Sequence, residues 1–543
     1  MSDTVPPRIP AGMRDILPDQ MLKRQYVLDI VRAVFEEYGF EPLQTAAIEL
    51  SETLLGKYGP EAERLIYKAW YGDEQSGEFA LRYDLSVPLS RVVAMYPDLP
   101  RPFKRYQIAP VYRADRPQKG RYREFYQCDV DIVGSSSMMA DAEIVAVVVE
   151  VLARLGFSGV SVSINNRKLL DGIGEYAGVP EALRPGLYRS IDKLDKIGLE
   201  GVRRELLMVG ADTEPIQPLQ NVFRRAIQGK IGADIDSIKN EIRAEFDKSV
   251  PKITNWTPEM VNGTASAVAP RIQELILEQV PGNELQARTR ELVQLAAPQL
   301  REGKEAIISE DAVDRLLALL QLSGDKYHVL DGLEAEMSTL PRAVEGIREL
   351  RDLFAYLAAM GISESQTRLN FAMVRGLEYY TGPIYETTVE EPAAMPSITG
   401  GGRYDELIGL FSGVSYPATG TSLGIERIID AMDELGMFPE SIRSSTAQVL
   451  VTLFDADTQA TSIKVGTELR QAGINTSIYY DFADRLGDQI GYASAKGIPF
   501  VVIIGPDELA RGEATIREMG ETRREGDQRT VPLADVVETI RNW

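Results

Sequence analysis

The 543-residue chain holds one cysteine, Cys128, and one histidine, His328. A disulfide within the chain is impossible, and a zinc site built from Cys and His is effectively excluded. No Gly-Lys pair is followed by Ser or Thr, so there is no P-loop. No G-x-G-x-x-G follows a strand-like run, so the dinucleotide fingerprint is missing too. Gly420-Thr421-Ser422-Leu423-Gly424 fits G-x-S-x-G, the nucleophile elbow of hydrolases. That fold needs its histidine after the serine, and His328 lies before it, so the hydrolase reading fails. No apolar run is long enough to cross a membrane. Met1 to Pro7 shows no basic region followed by an apolar stretch, so no secretory signal is expected and a cytoplasmic location is.

Positive charge is also in short supply: 59 Lys and Arg face 81 Asp and Glu, for a net charge of −22. Bulk charge therefore cannot attract nucleic acid, and any such partner must dock on a local basic patch. From Arg101 to Arg123 there are eight Lys or Arg residues against one acid, Asp115. On charge alone this is either a solvated basic loop or a site for anions.

Periodicity outlines the rest. Val27, Ile30, Val31, Val34, Phe35 and Tyr38 recur at helical spacing, which predicts a helix over 24–40 ended by Gly39. Two strands are expected at 104–113 and 124–133, joined by a polar loop with Pro117 and Gly120. Asp141 reads as the cap of a helix carrying Ile144, Val148, Val151 and Leu155. Residues 166–365 read as a mainly helical inserted region. Strand-like segments return at 368–375 and 383–389, and a Gly-rich element and a helix at about 424–435 follow. Beyond a linker at Ser441–Thr446, strands at 447–454, 474–480 and 499–504 alternate with helices at about 458–472 and 484–497. That alternation predicts a separate domain with a parallel or mixed sheet.

Alternate residues of a strand share a face. Arg105, Gln107, Ala109, Val111 and Arg113 point one way, as do Phe125, Gln127, Asp129 and Asp131 on the second strand. Tyr106, Ile108, Pro110 and Tyr112 share the opposite face, with Tyr126, Cys128, Val130 and Ile132. The pattern fits a half-exposed hairpin or the polar floor of a pocket.

These residues resemble a known family. Phe103-Lys104-Arg105-Tyr106 through Val111-Tyr112-Arg113, then Arg116 to Phe125, is similar to motif 2 of class II aminoacyl-tRNA synthetases in their histidyl form. Arg375-Gly376-Leu377-Glu378-Tyr379-Tyr380-Thr381-Gly382 resembles the peptide peculiar to histidyl enzymes. Gly400-Gly401-Gly402-Arg403-Tyr404-Asp405 resembles their glycine-rich strand, and Gly420 to Arg427 their motif 3. Gly12-Met13-Arg14-Asp15-Ile16-Leu17-Pro18 matches how these proteins begin. Order and spacing agree from residue 8 to about 435, except in the long insertion.

The resemblance implies an α/β protein in three parts. A class II catalytic core with an antiparallel sheet would span 1–165 and 366–440. A mainly helical insertion would fill 166–365, and an α/β anticodon-binding domain 446–543. It implies ATP-dependent ligation of L-histidine to tRNA(His) through a histidyl-adenylate, with Mg²⁺ accompanying ATP, no zinc, and a homodimer with no membrane partner. Arg113 and Arg375 would be the catalytic arginines at the α-phosphate, because charge developing there needs fixed cations and arginine offers a planar fork. Arg113, Arg121, Arg123, Gly424 and Arg427 would bind ATP. Asp84, Leu85, Ser86, Gln127, Asp131, Tyr379, Tyr380 and Tyr404 would bind histidine, with Asp84 on the ammonium. Gln127 and Asp131 lie four apart on one face, about 13 Å along the strand. Arg116 and Gln118 would meet the tRNA acceptor end. Arg511, Arg517, Arg523, Arg524 and Arg529 are candidate phosphate contacts, although a solvated surface is the better reading of each one taken singly.

The chain departs from the family pattern in two places. Ala46 stands where motif 1 usually carries a proline, and 166–365 is longer than a compact member requires. The competing expectation is a catalytically silent relative, the synthetase-like regulatory subunit of ATP phosphoribosyltransferase. That class generally lacks the anticodon domain and the full histidyl peptide.

Overall fold

The computed structural model describes residues 6–57, 60–72, 77–117, 121–207, 209, 216–249, 258–278, 288, 289, 291, 292, 295, 308–374, 379–392, 395–439, 442, 445–481, 483–520 and 527–543. The first helix, Pro18–Glu37, starts six residues before the expected position 24, with proline in its first turn. It buries Val27, Leu28, Val31, Val34 and Phe35. Gly39, at φ +76°, supplies the left-handed residue that ends it.

Strand β1 (Glu41–Pro42) follows, then a small antiparallel sheet of β2 (Ile48–Leu50), β3 (Lys68–Ala69) and β4 (Phe79–Leu81). The basic hairpin forms as expected, as β5 (Phe103–Tyr112) and β6 (Glu124–Val133). Strands β7 (Val160–Asn166), β8 (Thr367–Leu369), β9 (Pro383–Val389), β10 (Thr399–Arg403) and β11 (Ala418–Gly424) complete an eight-stranded sheet in the order β1-β5-β6-β11-β10-β9-β7-β8. Its interior pairings from β5 to β7 are antiparallel, and both edge strands pair parallel.

One face of this sheet is the core. Tyr106, Cys128, Val130 and Ile132 pack there against the helices Pro18–Glu37, Met138–Arg154 and Ile425–Glu434. The other face carries the polar members of both hairpin strands. Two glycines let it close up. A Cβ on Gly401 would sit 2.2 Å from the Gly420 carbonyl oxygen, and one on Gly420 would sit 2.0 Å from Asp131 Oδ1. No side chain fits at either place.

Three expectations change. Asp141 is not the helix cap: Ser137 Oγ accepts the Met139 N–H at 3.2 Å, while Asp141 is fully buried and binds Arg403 and Tyr385. A carboxylate in a first turn looks like a cap in sequence, and its distant partners are invisible there. The strand expected at 368–375 stops at Leu369, because Asn165 Nδ2 donates to the carbonyls of Phe371 (3.2 Å) and Met373 (2.8 Å) and holds the chain in a turn. The region 166–365 is mainly helical among its described residues, but it is not one body. Leu169, Leu170, Leu187, Leu330, Leu350 and Phe354 share the core of the large sheet. A second core of Leu219, Val222, Phe223, Ile238, Ile242, Phe246, Val268 and Ile272 stands apart from it.

The C-terminal part forms a five-stranded sheet. Strands β12 (Val449–Val451), β13 (Thr476–Ile478) and β14 (Phe500–Ile503) are parallel, as the alternation predicts. Two antiparallel strands, β15 (Glu513–Glu518) and β16 (Gln528–Pro532), extend it. No described helix is long and apolar enough to cross a membrane.

Candidate active site

A cavity of about 1160 Å³ opens over the polar face of the large sheet. The hairpin register builds its floor. Arg105 lies opposite Asp131, Gln107 opposite Asp129 and Ala109 opposite Gln127. On the other side of β6, Gly420, Ser422 and Gly424 of β11 lie opposite Asp131, Asp129 and Gln127. The glycines give the longer side chains room, so Gln127, Asp129 and Asp131 all line the cavity. Of the two readings of the hairpin, the pocket floor is the one realised.

The floor is strongly charged and buried. Arg105, fully buried, reaches Asp131 Oδ2 with Nη2 at 2.8 Å and donates to the Leu85 carbonyl at 3.2 Å. The Tyr404 hydroxyl donates to Asp131 Oδ1. Burial raises the Asp131 carboxyl above its ordinary value, against the pull of Arg105 and Tyr404. Burial also pushes Asp129 up, to about 7; Arg105 opposes that rise and the neighbouring Asp131 adds to it. Gln127 Nε2 donates to Ser422 Oγ at 3.0 Å. Gln127 Oε1, Asp129 Oδ1 and Thr421 Oγ1 are buried with no hydrogen-bond partner among the described residues. Buried polar atoms are seldom left unpaired, so these three are ready to meet a ligand.

The walls and rim use other elements. Asp84 lines the cavity beside Ser86, and its Oδ1 also accepts the Val87 N–H at 3.1 Å, at the start of the helix Ser86–Met95. Tyr379 and Tyr380 stack at 4.3 Å between centroids, with their hydroxyls 3.0 Å apart. Arg113 leaves the end of β5, with its guanidinium 4.3 Å from the Tyr83 ring centroid and Nε donating to the Tyr83 carbonyl at 3.0 Å. It lines the cavity, and no described carboxylate lies within ion-pair distance of it. Arg121 lines the rim but is paired with Asp115 at 2.7 Å. Gly424 and Arg427 line the opposite end.

The structure places several expected residues elsewhere. Leu85 is fully buried among Ala109, Val111 and Phe125, outside the cavity; its contribution is the carbonyl that holds Arg105. Arg123 also lies outside. Its guanidinium donates to the carbonyls of Asp115 (2.9 Å) and Ala11 (3.1 Å), which ties the N-terminal segment to the hairpin loop. Arg116 is exposed and away from the cavity wall. Arg375 and Gln118 lie outside the described residues, as do Arg523 and Arg524. Arg511 and Arg529 pair locally with Glu513 and Asp527. The segment at Ala46 is fixed without a proline: Arg82 Nη1 donates to the carbonyls of Thr45 (3.0 Å) and Ala46 (3.4 Å), and Nε to that of Pro110.

Two groups escaped the sequence reading. Asp129 was placed on the right face but given no role. Glu426, just before Arg427, is buried between Arg24 (3.0 Å) and the Tyr126 N–H (3.2 Å), with Arg14 at 3.9 Å. Arg14 in turn lies over the Tyr122 ring, 3.8 Å from its centroid.

The family model of histidyl-tRNA synthetase matches residues 12–226 and 267–428, and that of an anticodon-binding domain matches 448–543. The chain belongs to the histidyl-tRNA synthetase family. It is 36% identical to a histidine–tRNA ligase of Gloeobacter violaceus over 97% of both chains, and 36% identical to one of Aeropyrum pernix over 98% of both. Alignment over so much of both chains means that these relatives share the extra length of the insertion; the family model itself passes over 227–266. Among solved structures, a histidyl-tRNA synthetase from Nostoc superposes with a TM-score of 0.68 at 27% identity, over 99% of this chain and 100% of that one. A Bacillus halodurans protein described as an ATP phosphoribosyltransferase regulatory subunit/histidyl-tRNA synthetase shares the fold at 18% identity, with a TM-score of 0.57 over 91% of this chain and 97% of that one.

Proposed function

We propose that the chain ligates histidine to tRNA in two steps within this cavity. The histidine carboxylate attacks the α-phosphorus of ATP, the α–β P–O bond breaks, and pyrophosphate leaves. A ribose hydroxyl at the tRNA end then attacks the adenylate carbonyl and AMP leaves. The observation that carries this reading is the floor itself: Gln127 Oε1 and Asp129 Oδ1, unpaired and buried, suit an amino acid rich in N–H groups. Arg113 and Arg427, at the rim and the far end, suit a polyphosphate stretched between them. Asp84 faces the ammonium, and Asp131, Tyr404, Tyr379 and Tyr380 shape the imidazole pocket. Arg375 would add a second cation at the α-phosphate. The regulatory reading has less support, because the anticodon-domain match runs to the last residue.

No group of three or more His, Cys, Asp or Glu suited to a metal ion occurs among the described residues. The reading includes Mg²⁺ arriving with ATP, a hard cation that phosphate oxygens and water suit. It would offset phosphate charge there, while the arginines orient the reacting phosphate.

The purified protein should exchange pyrophosphate into ATP when given histidine and Mg²⁺, and with no other standard amino acid. Absence of that exchange in folded protein would favour the regulatory class. Truncation after Met437 should leave adenylate formation intact while weakening tRNA charging at limiting tRNA, since the anticodon would no longer anchor the complex. Charging that survives truncation unchanged would remove 446–543 from tRNA recognition. Arg116, exposed away from the cavity wall, and Gln118 would meet the acceptor end. Binding of tRNA should weaken as salt rises, because phosphate contacts release counterions.

The reading includes a homodimer, and exposed apolar side chains support it. Ile48 and Leu50 are exposed on the small sheet, Trp70 and Tyr71 just beyond its strand β3, and Met95 at the end of the helix Ser86–Met95. Grouped exposed apolar residues of this kind mark a contact surface. Sedimentation should give twice the mass of the chain, and Leu50→Lys should shift it toward the monomer. A monomeric wild type would remove the homodimer from this account.

A further inference from the structure

The short segment ahead of the first helix touches both elements that carry the polyphosphate arginines. On one side the Gly12 carbonyl accepts the Arg123 N–H at 2.8 Å, and the Arg123 carbonyl accepts the Arg113 N–H at 2.9 Å. Two hydrogen bonds thus connect Gly12 to the backbone of Arg113. On the other side, Arg14 lies over the Tyr122 ring, 3.8 Å from its centroid, with Nη2 3.9 Å from Glu426 Oε1. Glu426 directly precedes Arg427 on the helix Ile425–Glu434.

The close approach depends on glycine. Gly12 sits at φ +84° in a turn closed by the Met13 N–H on the Pro10 carbonyl at 3.1 Å. A Cβ there would lie 2.8 Å from Pro117 Cγ and 2.9 Å from Arg123 Cγ, so a larger residue would push the segment off the hairpin loop. Arg14 is not needed to satisfy Glu426, because Arg24 at 3.0 Å and the Tyr126 N–H at 3.2 Å already hold the same oxygen. Nor is it fold glue: its side chain is 30% exposed, and an ion pair of that length adds little to stability. What it adds is a link between a ring of the loop and a carboxylate of the helix. Tyr122 and Glu426 line the cavity, and Arg14 stands behind them.

We propose that Arg14 is a positioning residue: with Gly12 it fixes the distance between the hairpin that carries Arg113 and the helix that carries Arg427, and so presets the site for the polyphosphate of ATP. This rests on the reading of those two arginines as polyphosphate contacts. A polyphosphate has a set length, so its two cations must stand at a matching separation before it arrives. The floor residues Gln127, Asp129 and Asp131 are placed by the sheet ladder instead, and do not depend on the segment.

The test uses the full-length protein and pyrophosphate exchange, with ATP and histidine varied separately. Arg14→Ala should lower kcat/KM for ATP roughly 10²-fold, the loss typical of a misplacement of about 1 Å, and leave the KM for histidine within about twofold. Urea unfolding should not change. Arg14→Lys keeps a cation over the ring and should recover part of the loss. Gly12→Ala should give the same selective defect, and the double variant should be no worse than the poorer single, because both act through one segment. Equal losses in the ATP and histidine terms would make Arg14 a general structural residue and overturn the proposal. An ATP term near that of the wild type in Arg14→Ala would overturn it too, and so would losses that multiply in the double variant. Arg113→Ala is the control on the reading beneath it: if that variant kept the wild-type ATP term, the polyphosphate assignment would fall, and the proposal with it.

Discussion

Arg113→Ala should slow adenylate formation by roughly 10²–10³-fold, the usual loss when one preorganised group facing transition-state charge is removed. The expectation follows from how this arginine is held. Its Nε is used on the Tyr83 carbonyl and its Cζ lies 4.3 Å from the Tyr83 ring centroid, so the side chain is oriented before substrate arrives. No described carboxylate neutralises it, which leaves its charge for phosphate. Arg121 differs: Asp115 already holds it at 2.7 Å and its side chain is half exposed, so Arg121→Ala should cost far less. Arg113→Lys keeps the charge but loses the fork and the stacking, and should recover only part of the rate. Single-turnover formation of adenylate, followed with labelled ATP, checks this. A rate within a few-fold of wild type for Arg113→Ala would take it away from the α-phosphate. Stability should change little, because the group is partly exposed at the cavity rim.

The hairpin was legible because its two strands alternate cleanly. Tyr106, Cys128, Val130 and Ile132 demand a core, so Arg105, Gln127, Asp129 and Asp131 had to face the other way. The match to known motifs then marked Arg113, Arg427, Tyr379 and Tyr380. Pairings across the chain were not legible. Arg24 and Glu426 lie 402 residues apart, and Arg403 and Asp141 lie 262 apart, and nothing local marks either pair. What faces each carboxylate of the floor was equally hidden. It depends on the register that sets Ser422 beside Asp129 and Gly420 beside Asp131. Strands β15 and β16 were missed for a simpler reason. β16, Gln-Arg-Thr-Val-Pro, is an exposed edge with almost no apolar face, so its sequence carries no period-2 signal. The unexpected division of 166–365 has the same origin. Helical periodicity shows that a face is buried, but not which core it joins.

Arg105→Met should destabilise the fold by about 3–5 kcal/mol near neutral pH, the range for removing one partner of a buried ion pair. Methionine nearly fills the volume, so the loss comes mainly from Asp131 and Asp129, left side by side without the guanidinium that offsets them. The pH dependence separates this from a packing defect. Burial already lifts both carboxyls above their ordinary value, with Asp129 at about 7 while Arg105 is present. Without Arg105 both should rise further, since that arginine opposes the shift in each. An acid whose folded pKa exceeds its unfolded one binds more protons folded than unfolded. Stability then falls as pH rises from the unfolded value of 3.8 through the folded one. At pH 5 Asp129, whose carboxyl is pushed up to about 7, keeps its proton with or without the guanidinium, so its share of the loss is absent there. At pH 8 the pair must either hold two bare charges or keep its protons at a free-energy cost. The gap between wild type and Arg105→Met should therefore widen as pH rises through about 7, where Asp129 of the wild type gives up its proton and that of the variant still holds it. Urea unfolding at several pH values measures it. A gap that stays constant with pH would mean that Arg105 matters for its volume and its bond to the Leu85 carbonyl, and that its charge does not stabilise the floor.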